Sequence, residues 1–72
     1  MARFDPKALY QALDGRRRSL GMSWQEVASD VGVSVSTTTR TRLGGRLGVD
    51  GVLAMVSWLG RTVESFVRKS DR

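Results

Sequence analysis

The sequence contains no cysteine and no histidine. Disulfides therefore cannot reinforce the fold, and there is no Cys/His cluster to hold zinc. With only scattered carboxylates besides, the usual acid, base and nucleophile sets of an enzyme are missing. Gly44-Gly45 beside Arg46 lacks the strand and the Lys that a phosphate-binding loop requires. Long apolar runs are absent as well. The longest, Val52 to Leu59, is interrupted by Ser57 and falls far short of the ~20 residues needed to span a membrane. Nothing resembles a signal peptide. These absences predict a non-enzymatic, intracellular protein with no catalytic residues, metal site, cofactor, small-molecule ligand or membrane partner.

What is present is a chain of 72 residues, the size of one domain. A domain of that size buries only about 60–65% of its unfolded surface, so its stability margin is thin. Helix packing, a bound partner or a dimer must supply what disulfides and metals do not. The net charge is +5 and the sequence pI about 11.1, a balance that favours polyanions. Its placement is more informative than its size. Between Val31 and Val49 there is no Asp or Glu, while Arg40, Arg42 and Arg46 are all present. A second cluster, Arg16-Arg17-Arg18, reads as a solvated face.

Five short helices are expected. Asp5 is a good N-cap, Pro6 suits the first helical turn, and Phe4 and Leu9 can form a hydrophobic staple. Leu9, Ala12 and Leu13 give the inner stripe of a helix ending near Arg17 or Arg18 before Gly21. Ser23-Trp24-Gln25-Glu26 is a capping box, stapled by Met22 and Val27. Val27, Ala28 and Val31 mark the inner face of this second helix, and Gly32 can take the positive φ that ends it. Ser34 then caps a third helix through Arg42. Propensity opposes that assignment, because Val, Ser and Thr are poor helix formers and the run alone would pass for a strand. Leu43 to Gly48 reads as a loop. Val49-Asp50 caps a fourth helix with Val52, Leu53, Met55, Val56 and Leu59 inward, ended by Gly60. Thr62 caps a fifth, with Val63, Phe66 and Val67 inward, and the tail from Arg68 onward should fray. The fold class expected is all-α, a compact bundle.

Two short helices joined by a tight glycine turn, the second lined with small hydroxyl residues and Arg, suit the reading of DNA. The major groove admits one α-helix, and the turn fixes that helix against a partner lying across the backbone. Here the sequence resembles the Cro/lambda-repressor-like helix-turn-helix regulators, the Xre family. The resemblance is carried by Ser23-Trp24-Gln25-Glu26-Val27-Ala28, Val31-Gly32-Val33-Ser34, Ser36-Thr37 and Arg40. Asp50 through Leu59, Gly60 and Phe66 also look like the family's closing helices, so about Leu9 to Val67 is covered. The resemblance implies a lambda-repressor-like domain of bacterial or phage origin that binds double-stranded DNA. It makes Val35 and Ser36 the first exposed positions of the recognition helix, with Thr39 and Arg40 on the same face. Arg40 would bond a guanine edge or hold a phosphate. The Thr37 hydroxyl would reach phosphate or cap its own helix. Gln25 sits where the family contacts phosphate, and Trp24 either lays its indole N–H on the backbone or packs on the first helix. Arg42 and Arg46 would follow the flanking phosphates, or belong to a solvated loop. Thr38 and Thr41 depart from the family, standing where it places Ile or Leu, so each hydroxyl needs a partner.

Sites read by this fold usually come as two half-sites, so a homodimer on DNA is expected, with the last two helices as its interface. Its place would be the cytoplasm, on the nucleoid. The competing class is a protein-interaction module, such as an antitoxin or regulatory partner, built on the same scaffold without specific DNA readout.

Overall fold

The computed structural model describes residues 2–69. The chain runs β1 (Ala2–Phe4), α1 (Pro6–Leu20), α2 (Trp24–Val31), α3 (Val35–Arg42), α4 (Val49–Trp58), a single 3-10 turn (Val63–Phe66) and β2 (Val67–Lys69). It is mostly helical, and among the described residues no helix is long and apolar enough to cross a membrane.

Each start has its own chemistry. Asp5 Oδ1 accepts from the Ala8 N–H at 3.1 Å, with Pro6 in the first turn of α1. The helix runs to Leu20, two to three residues beyond the expected end. Asp14 explains the extension: it takes Arg17 at 2.7 Å and Arg18 at 3.1 Å, i+3 and i+4 pairs that hold the last turns together. At α2 both arms of the capping box are formed, Ser23 Oγ accepting from Glu26 N at 3.1 Å and Glu26 Oε1 from Ser23 N at 2.7 Å. α4 departs from expectation. Its N-cap is Gly48, which has no capping side chain, and Asp50 lies inside the first turn, where its charge favours the helix's positive end.

The expected fifth helix does not form. A helix from Thr62 would bury Val63, Phe66 and Val67 on one side; a single 3-10 turn buries Phe66 and half-buries the other two. The segment is too short to sustain a helix of its own. Its continuation, Val67–Lys69, pairs antiparallel with β1 (Ala2↔Lys69, Arg3↔Arg68, Phe4↔Val67), and the Asp5 N–H donates to the Phe66 carbonyl at 2.8 Å. Arg68 and Lys69, expected to begin a frayed tail, thus belong to a two-stranded ladder that satisfies backbone groups at both ends.

The core brings Leu9 and Leu13 of α1 against Met55 and Val56 of α4 and Phe66 of the turn. Val27 and Ala28 are buried from α2. Around this centre pack Phe4, Trp24, Val31, Leu47 and Trp58. Trp58 also ties three helices together. Its indole N–H donates to Asp30 at 2.7 Å, its carbonyl accepts from Arg16, and the Arg16 guanidinium lies 4.7 Å from its ring centroid.

Candidate nucleic-acid interface

The α2–α3 connection is three residues long. Gly32 takes φ +92°, a conformation that costs other residues strain. In that geometry the N–H groups of Gly32 and Val33 both donate to the Ala28 carbonyl, at 2.9 and 3.0 Å. The turn is closed on the end of α2. Ser34 then caps α3 by accepting from the Thr37 N–H at 3.3 Å.

The two threonines that depart from the aliphatic pattern do face inward: Thr41 is fully buried and Thr38 nearly so. Their hydroxyls are satisfied within α3 itself. Thr38 Oγ1 donates to the Val35 carbonyl at 2.6 Å and Thr41 Oγ1 to the Thr37 carbonyl at 2.8 Å. The Thr41 hydroxyl also lies 3.8 Å from the Met55 sulfur. With both hydroxyls back-bonded, a hydroxylic helix packs on α1 and α2 without a buried unpaired side-chain atom.

With that face fixed inward, Val35, Ser36, Thr39, Arg40 and Arg42 are exposed on the outer face. A shallow recess of about 250 Å³ brings Val35, Thr39 and Arg42 together with Trp24 of α2 and Tyr10 of α1. Trp24 packs against the first helix. Its ring stacks on Tyr10 with centroids 4.9 Å apart and planes 16° from parallel. The Arg17 guanidinium sits 5.1 Å from its centroid on a side chain anchored by Asp14 and the Met22 carbonyl. Tyr10 was not among the expected site residues. Its signal in the sequence is spacing: Tyr10, Asp14 and Arg17 lie at i, i+4 and i+7, one face of α1. The arginine triplet is likewise no simple solvated face, since Arg16 and Arg17 are committed to Trp58 and Trp24.

The other expected residues are spread more widely. Gln25 is exposed on the first turn of α2, in a separate recess with Ser23, Glu26 and Asp30. Thr37 is half-buried, its hydroxyl 3.1 Å from Ser34 Oγ, which makes it part of the local cap. Arg40 is exposed and its stem crosses the following loop: a Cβ built on Gly45 would lie 3.1 Å from Arg40 Cγ. The Gly45 N–H donates to the Arg40 carbonyl at 2.9 Å. Arg46 lies apart from Val35, Thr39 and Arg42, in the wall of an apolar groove beside α4.

No carboxylate stands among the exposed residues of α3, and four of the described carboxylates make internal contacts. Asp5 and Glu26 cap helices, Asp14 holds Arg17 and Arg18, and Asp30 takes the Trp58 indole. Arg40 and Arg42 have no ion-pair partner among the described residues. Comparison of the chain with protein-family models, with curated proteins and with solved structures finds no match to any of the three.

Proposed function

We propose that the chain is a lambda-repressor-like helix-turn-helix protein that binds double-stranded DNA sequence-specifically and regulates transcription by occupying an operator. The observation that carries this reading is the division of α3 into two faces. Thr38 and Thr41 are consumed inward by their own helix, while Val35, Ser36, Thr39, Arg40 and Arg42 stand outward with no carboxylate among them. Small side chains at Val35, Ser36 and Thr39 let the helix backbone approach base edges closely, and a guanidinium matches guanine O6 and N7. In this reading the exposed start of α2, with Gln25, contacts the phosphate backbone.

The test is selection from random duplexes, followed by titration of the recovered site across salt concentrations. A palindromic site is expected. With about five phosphate contacts, affinity should fall about 10²–10³-fold between about 50 and 200 mM salt. If no duplex binds even at low salt, the reading fails and a protein-interaction module takes its place.

A further inference from the structure

The loop of residues 43–48 joins α3 to α4 and contains three glycines. Gly44 takes φ +76°, a left-handed conformation that suits glycine. Gly48 has an ordinary φ of −72° and open space where a side chain would stand. Gly45 differs from both. Its φ is not positive, so its backbone accepts any L residue, yet the space beside it is taken. A Cβ there would lie 3.1 Å from Arg40 Cγ, 3.5 Å from the Arg40 carbonyl oxygen and 4.0 Å from Arg40 Cδ. The first of these is closer than the ordinary contact distance of about 3.5–4.0 Å. What glycine provides at position 45 is room for the stem of Arg40.

The loop is tied to that same residue. The Gly45 N–H donates to the Arg40 carbonyl at 2.9 Å and the Gly44 N–H to the Thr41 carbonyl at 3.1 Å, so the chain folds back over the last turn of α3. From α1, Lys7 lies against the neighbouring glycine, where a Cβ on Gly44 would stand 3.2 Å from Lys7 Cε. The surface under Arg40 is thus held from two helices, and Gly45 is half-buried. Arg40 is exposed and has no ion-pair partner among the described residues. Ordering a free arginine when a ligand binds costs affinity. A stem laid across a hydrogen-bonded loop has fewer rotamers open to it before any ligand arrives. Direction matters as well, because a guanidinium matches a base edge through two bonds at once.

We infer, on the DNA reading proposed above, that Gly45 is a positioning residue for Arg40. Its missing side chain sets the direction in which the guanidinium leaves α3, so base preference depends on a loop residue that itself touches no base. Gly45→Ala should keep the wild-type circular dichroism and thermal midpoint, since an L residue at an ordinary φ narrows the unfolded ensemble. A midpoint lowered by more than about 5 °C would assign this glycine to the fold instead. On the selected duplex, Gly45→Val should cut preference about tenfold at the base pair where Arg40→Ala cuts it, and Gly45→Ala should cut it less. Added to Arg40→Ala, Gly45→Val should change base preference no further. Gly48→Ala, in the same loop with nothing to displace, should leave preference unchanged. Without DNA, nuclear Overhauser contacts should join the Gly45 α-protons to the Arg40 γ-protons in the free wild-type chain. Absence of those contacts, a Gly45→Val loss equal on all duplexes, or a loss that adds to that of Arg40→Ala overturns the positioning and leaves the DNA reading standing. A chain that shows the contacts yet binds no duplex refutes the DNA reading, and a part for Gly45 in it.

Discussion

Thr41 shows how a single buried hydroxyl can be harmless without being useful. Its partners are a helical carbonyl at 2.8 Å and a thioether sulfur at 3.8 Å. The sulfur is a weak acceptor, and bonds back to a helical carbonyl slightly strain the helix. Thr41→Val keeps the branched shape and adds apolar contact to Met55. It should therefore be neutral or stabilising by about 0.5–1 kcal/mol in urea unfolding; a loss above about 1 kcal/mol would mean that the hydroxyl holds α3 in place. Arg40 and Arg42 raise a different question, because both are exposed and have no ion-pair partner among the described residues. If Arg40 reads a guanine, Arg40→Ala should cost about 1–3 kcal/mol on the selected site and relax preference at one base pair. A uniform loss on all duplexes would assign it to phosphate. Arg46→Ala, by contrast, should leave base preference unchanged, since its side chain lines the groove beside α4.

Among the elements, α3 is the least supported by its own sequence. Its residues are poor helix formers, and its beginning rests on Ser34, which binds both the Thr37 N–H and the Thr37 hydroxyl. Ser34→Ala should cost about 1 kcal/mol of stability. In hydrogen exchange it should also raise the rates of α3 amides more than those of α1; a uniform change across the helices would refute a local role. The starts of α1, α2 and α3 were legible because they are written in short-range chemistry: Asp5-Pro6, the Ser23/Glu26 box, and Ser34 after Gly32; that of α4 was not, because Gly48 offers no capping side chain. The end of α1 was not, because it depends on how Asp14 divides itself between two arginines. The strands were invisible for another reason. Ala2–Phe4 and Val67–Lys69 carry no alternation worth reading, and each finds its partner at the far end of the chain. Val63, Phe66 and Val67 have a spacing that a helix and a 3-10 turn entering a strand share. At the site, the exposed positions of α3 were expected from the resemblance, not from periodicity. The placement of Arg46 could not be read, because it depends on how the glycine loop folds back toward α4.

At the scale of the whole molecule, Phe66 is the residue on which the two ends and the core meet. It is buried against Leu9, Leu13, Met55 and Val56, its ring lies 4.7 Å from the Arg61 guanidinium, and its carbonyl receives the Asp5 N–H. A domain of this length has a total stability of about 4–11 kcal/mol at ordinary values per residue. Phe66→Ala should remove about 3–5 kcal/mol of it. The variant should be substantially unfolded at physiological temperature, as read by tryptophan fluorescence and circular dichroism. An unfolding midpoint close to wild type would show that the sheet and helices hold together without this anchor.

The pairing of Ala2–Phe4 with Val67–Lys69 has one more consequence. It makes the described residues nearly a closed ring, with the first and last of them side by side. In a ring the position of the opening is arbitrary, provided that the cut falls in an exposed connection. Gly21, exposed between α1 and α2 with open space around its α-carbon, is such a connection. A chain rearranged to begin after Gly21, its old ends joined by a short flexible bridge, should keep all four helices and the same outward face of α3. It would differ in when each part leaves the ribosome, with α3 and α4 emerging before the α1 on which they pack.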